Sequence, residues 1–208
     1  TESPSSSNTV YSWSIVAPTD INAFGVASNQ AVTVSTSSVL VANAQTVLRT
    51  KLTATIAPLG ASSNRARTAT DDLANLTLTV NDAYGAEFKS VKFLLSGAAL
   101  PASGNITLDL VDNDTGVSAT STTVSVNTAT STGITLTLPT PFLITQGLQK
   151  IYKVRANSSS YSNVANTSDS FSLQVVNAAD LQWQTQGLPE SLGLETKSVP
   201  LTSTVSYE

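Results

Sequence analysis

Along most of the chain apolar and polar residues alternate one for one, the period of a strand with one buried face and one wet face. Near the start, Tyr11, Trp13 and Ile15 fall on one side and Ser12 and Ser14 on the other. The segment Thr46–Ile56 groups Leu48, Leu52, Ala54 and Ile56 against Arg49, Lys51 and Thr53. Leu76, Leu78 and Val80 alternate with Thr77 and Thr79, and Val91, Phe93 and Leu95 follow. Ile106, Leu108 and Leu110 lead into Asp112-Asn-Asp-Thr-Gly116, a turn composition, and Val117 resumes, which predicts a hairpin. Further strands are predicted at Thr123–Val126, Gly133–Leu138, Ile151–Ala156, Ser170–Val176 and Val199–Tyr207.

About ten to twelve short strands broken by Gly, Pro, Asn, Asp and Ser predict an all-β chain: an antiparallel β-sandwich, immunoglobulin-like or jelly-roll-like, with an N-terminal extension strand. No helix of ordinary length is predicted. The Ser-rich first residues read as a tail, and the organisation expected is a tail plus extension strand over 1–30 and a sandwich over 31–208. Ala61–Asp72 reads as a surface loop, and Ala27–Asn43 fits either a strand or a loop.

Composition sharpens this picture. Only 12% of the 208 residues are charged, against roughly 25% in ordinary globular chains. Ser and Thr supply roughly 30% instead, so hydroxyls keep the surface wet and β-branched Thr suits a pleated sheet. That balance is typical of extracellular β-proteins. A net charge of −4 argues against nucleic acid and anionic membrane surfaces as partners. No apolar run reaches the ~18 residues of a membrane span. With no Met in the chain, Thr1 is read as a mature terminus after cleavage or as a trimmed edge.

The chain has no Cys and no His. Disulfides, thiolate nucleophiles, sulfur metal sites and an imidazole base are therefore absent. Ser is abundant, but no Gly-x-Ser-x-Gly elbow occurs to expose one, which leaves only a Ser–Lys dyad formally open. Carboxylates that could serve a glycosidase are Asp71 with Asp72, or Asp109, Asp112 and Asp114, and their plainer reading is a loop start and a hairpin turn. Asp112, Asn113 and Asp114 are hard oxygen donors, but Gly116 stands where an EF-hand loop needs a ligand. Sequons fall at Asn75, Asn105, Asn113, Asn157 and Asn166. Lys51 and Lys153 are candidates for a lysine–asparagine cross-link if buried. The expectation is a protein that is not an enzyme, with no cofactor and no metal.

The ends carry the functional expectation. The strand around Tyr11, Trp13 and Ile15 follows a Ser-rich tail and could complete a neighbour's sheet, with those three residues filling pockets. Lys150-Ile-Tyr-Lys-Val-Arg-Ala156, Ser168-Asp-Ser-Phe-Ser-Leu173 and Leu194-Glu-Thr-Lys-Ser-Val-Pro-Leu201, set among Thr-rich strands, resemble β-sandwich modules of prokaryotic surface-layer and extracellular fibre proteins. The resemblance implies a self-assembling subunit at the cell surface whose partners are copies of itself. The alternative is an adhesin or carbohydrate-binding sandwich that takes glycans on Trp13, Trp183, Tyr84, Tyr152 and Tyr161.

Overall fold

The computed structural model describes residues 9–35, 40–43, 45–47, 49–60, 63, 65–81, 84–99, 104–126, 131–161, 169–187 and 199–207. The Ser-rich start, Asn166 and most of the 194–201 segment lie outside them. The chain divides into two compact units, Thr1–Arg49 and Thr50–Glu208. The sequence places its boundary at residue 30, whereas the structure groups 31–49 with the first unit.

The first unit is built on a two-stranded ribbon. β1 (Thr9–Tyr11) pairs antiparallel with β4 (Gln45–Val47), and β2 (Ser14–Ile15) with β3 (Leu40–Val41). Between β2 and β3 the chain makes a 3-10 turn at Pro18–Asp20 and a small antiparallel bridge from Phe24 to Ala31. Pro18 opens that turn, and the Asp20 carboxylate accepts the amides of Val16 (3.2 Å) and Ala17 (3.0 Å).

The second unit is an all-β sandwich. One sheet has the order β5-β6-β11-β8-β9, from β5 (Leu52–Pro58), β6 (Asp71–Val80), β8 (Gly104–Asp112), β9 (Ser118–Val126) and β11 (Gln149–Ala156). The other has the order β10-β7-β12-β14, from β7 (Ala86–Ser96), β10 (Thr132–Ile144), β12 (Asp169–Val175) and β14 (Leu201–Tyr207). β13 (Leu181–Thr185) also pairs with β7. Among the described residues every ladder is antiparallel.

The alternation seen in sequence becomes two layers. Leu52, Leu76, Leu78, Leu108, Leu110 and Val154 of one sheet meet Phe88, Phe93, Leu95, Leu136, Leu173 and Val205 of the other in a single buried cluster. The intervening residues make the outer face. Thr53 stands opposite Thr79, and Thr107 opposite Thr123, with their hydroxyls 2.7 Å apart in the second pair. The predicted hairpin forms as β8–β9, and Gly116 takes the positive φ (72°) that its turn requires.

Three segments differ from the sequence reading. Thr46–Ile56 is not one strand: β4 belongs to the ribbon and β5 to the sandwich, and the division between units falls between them. Alternation alone continues across such a break, because period two carries no mark of which sheet a residue joins. β13 was not predicted, although Leu181, Trp183 and Thr185 are all buried on one side of it. The expected loop Ala61–Asp72 yields its last two residues to β6, and Arg65 forms a parallel bridge to Tyr207.

That bridge fastens the final strand. Arg65 N–H donates to the Ser206 carbonyl (3.0 Å), while its guanidinium pairs with buried Asp71. The Tyr207 hydroxyl donates to the other Asp71 oxygen at 2.6 Å. Arg67 lies over the Tyr207 ring, 5.4 Å from its centre, and pairs with Asp169 at 3.5 Å. Burial, with the Asp71 charge beside it, pushes the Tyr207 hydroxyl well above its ordinary range, so it remains a donor. Gly97 matters on the same sheet: a Cβ there would stand 2.2 Å from the Ser170 carbonyl oxygen, which accepts the Ala99 amide.

Two substitutions test this account by denaturant unfolding. Tyr207→Phe leaves Asp71 short of one buried partner and is expected to cost about 1–3 kcal/mol. Trp183→Ala opens a cavity in the core and is expected to cost about 3–5 kcal/mol.

Candidate assembly site

The ribbon of the first unit places the three predicted interface residues at its surface. Tyr11 is 46% exposed, Trp13 71% and Ile15 37%. Tyr11 closes the β1–β4 ladder opposite Gln45, and Ile15 lies opposite Leu40 in the β2–β3 ladder. Trp13 sits in the gap between the two ladders, where its carbonyl accepts the Ala42 amide at 2.9 Å. Trp13, Ile15, Leu40 and Val41 line a shallow apolar groove of about 380 Å³.

The rest of the unit is equally uncovered. Val16, Phe24, Val26, Val32, Leu40 and Val41 are all exposed. Among the described residues, buried apolar side chains begin only at Leu52. Few charges accompany them, since Glu2, Asp20 and Arg49 are the only charged residues of Thr1–Arg49. Sequence alternation located Tyr11, Trp13 and Ile15 but missed their partners Leu40 and Val41, which follow a Ser/Thr run with no clear period.

The other candidates have structural roles. The carboxylates of Asp112 and Asp114 converge, but on the Lys150 ammonium, at 2.7 Å and 2.6 Å. Lys150 is only 8% exposed and packs 4.9 Å from the centre of the Phe142 ring. Asp112 Oδ1 also accepts the amides of Asp114 (2.9 Å) and Thr115 (3.4 Å), which shapes the β8–β9 turn. A lysine thus supplies the positive charge that a calcium ion would bring to these two carboxylates. Among the described residues no cluster of three or more acidic, His or Cys side chains could hold a metal.

Asp71 and Asp72 do not face one another. Asp71 points inward to Arg65 and Tyr207, while Asp72 meets Arg155 on the outer face at 2.6 Å. Asp109, the remaining carboxylate, lies half-buried in β8 opposite Arg155 and Ser121. The aromatic platform for glycans is also dismantled, because Trp183, Tyr152 and Tyr161 are buried in the core. Lys51 and Lys153 are half-buried rather than enclosed; the enclosed lysine is Lys150. Of the described sequons, Asn105, Asn113 and Asn157 are exposed, and Asn75 is half-buried in β6. No helix among the described residues is long and apolar enough to cross a membrane.

The Lys150 pair predicts a pH profile. Burial would raise the Asp112 pKa, but hydrogen bonds from Lys150 and the turn amides outweigh it and lower the value below 3.8. Burial would likewise lower the Lys150 pKa, and the two carboxylates outweigh it and raise the value above 10.5. Asp112 therefore contributes stability that is present above pH 3.8 and lost as pH falls through its depressed folded value. Lys150 contributes stability that is present below pH 10.5 and lost as pH rises through its raised folded value. In urea titrations across pH, Asp112→Asn should shrink the acid loss and Lys150→Met the alkaline one, each lowering stability near neutrality.

No family model matches the sequence. No curated protein matches it either. Among solved structures, the CooA pilin subunit from enterotoxigenic Escherichia coli overlaps 77% of this chain and 99% of its own, at 11% identity and a TM-score of 0.34. A score of that size does not establish a shared fold.

Proposed function

We propose that this protein is a structural subunit of an extracellular filament or surface layer, assembling with copies of itself through its N-terminal unit. One observation carries the reading: every large apolar side chain described in that unit is exposed or at best half-covered, and none joins a core. Isolated proteins rarely present so much contiguous apolar surface unless a partner covers it. A two-stranded ribbon is also marginal alone and gains stability from a third strand or a second layer.

The mode of contact follows from the same geometry. Tyr11, Trp13 and Ile15 do not form a lone donor strand, because β1 and β2 already pair with β4 and β3. What the unit offers a neighbour is a two-stranded ribbon, whose strand edges can take backbone hydrogen bonds and whose apolar side chains can fill pockets. A hydroxyl-rich surface with few charges and no cysteine supports an extracellular location. The chemistry of the chain supports a structural role rather than a catalytic one.

Removing Thr1–Arg49 should leave a sandwich with cooperative unfolding and an unchanged β-sheet circular dichroism band, yet abolish assemblies seen by electron microscopy. Val41→Asp in the full chain should weaken assembly by placing a charge in the apolar groove. A truncated chain that polymerises like the full one would refute the reading.

A further inference from the structure

We infer that the cleft between β9 and β10 is the receptor for the ribbon of a second copy, and that Trp13 of that copy is its anchor. This rests on the assembly reading above and names the surface which that reading needs.

β9 and β10 are edge strands of opposite sheets, and they run side by side where the Thr122 hydroxyl donates to the Thr135 carbonyl at 3.0 Å. β10 follows β7 as far as Thr137 and rejoins it at Phe142, so Leu138–Pro141 bulge away from the ladder. Pro139 and Pro141 have no amide hydrogen, and strand addition cannot use those positions. A side chain can, because the seam opens there into a cavity of about 280 Å³ bounded by Ala119, Leu138, Pro139, Phe142, Tyr152 and Asp112.

The cavity is chemically suited to one aromatic group. Leu138 and Tyr152 bring core surface to it, and Phe142 beside them is 38% exposed. Ligand clefts usually span about 300–1,000 Å³, so this one fits a single large side chain better than an extended small molecule. Asp112 commits Oδ1 to Lys150 and the turn amides, and Oδ2 carries no hydrogen bond among the described residues. An indole N–H could donate to it. Leu148 and Val117 are exposed in or beside the turns that the Asn113 amide joins to the Ile151 carbonyl at 3.2 Å.

The occupant is argued from the chain itself. Trp13 is its one exposed tryptophan, and tryptophan is among the residue types enriched at interface hot spots. The ribbon around it, from Thr9 to Val16, carries no charge, so it enters an apolar cleft without stripping water from an ion. Each copy carries one such anchor and one such cleft, so copies of the chain supply them in equal number.

Two full-length variants test this: Trp13→Ala, which loses the anchor, and Thr140→Arg, which blocks the exposed rim of the cleft. Sedimentation velocity should show each alone as a monomer at concentrations where the wild type assembles. Mixed one to one they should form a heterodimer, because one brings an intact cleft and the other an intact anchor. Since the chain has no cysteine, Ser14→Cys, which lies beside an intact Trp13 in the same groove, mixed with Thr140→Cys should also give a disulfide dimer under mild oxidation, while Thr55→Cys in place of the cleft cysteine should not. That trap decides the matter if Thr140→Arg fails to fold. If Trp13→Ala is monomeric but Thr140→Arg assembles like wild type and no disulfide forms, the cleft is wrong and assembly through the ribbon stands. If the wild type stays monomeric, or Trp13→Ala assembles unchanged, both fall.

Discussion

A pleated strand shows side chains to both sides, so an apolar sheet face is stable only against a second layer. The second unit satisfies that requirement within itself. Its two sheets share one buried cluster, and hydroxyl residues take the outward positions. Among its described residues the first unit has short strands without a second layer, and its large apolar side chains are exposed or half-covered. A buried cluster is thus described in the second unit and not among the described residues of the first.

The final strand shows how firmly the sandwich is finished. β14 is an edge strand, and an open edge is a template for unwanted pairing. Arg65 bridges to its last turn of ladder, and Asp71 takes both the Arg65 guanidinium and the Tyr207 hydroxyl. Buried charge is tolerated here because it is paired and hydrogen-bonded. The network spans β6, β14 and the segment before β6, so it joins the two sheets by polar contacts where the core ends.

Much of this was legible in the alternation. Phe171, Leu173 and Val175, or Ile106, Leu108 and Leu110, announce their burial because one-sided strands must repeat every second residue. The turn at Asp112–Gly116 was legible from its residue types. What alternation cannot carry is partnership across the chain. Nothing near Asp112 announces Lys150, which sits beyond two further strands, and nothing near Asp71 announces Tyr207. Trp183 looked like a surface aromatic only because its short strand was not recognised. Tyr11, Trp13 and Ile15 were legible as an apolar stripe, but their pairing with residues 40–47 depends on a long-range contact that leaves no local trace.

If the chain assembles as proposed, the proline-marked bulge of β10 bears on how that growth is limited. A sticky ribbon on a molecule with bare sheet edges would recruit neighbours from several directions and end as amorphous precipitate. Pro139 and Pro141 remove two amide donors from one such edge, and the neighbouring β9 shields the stretch before them. The flank of the sandwich is thereby poor at recruiting strands, which in such an assembly would keep the number of bonds per molecule low. Low valence is the condition under which subunits string into ordered arrays instead of clumping.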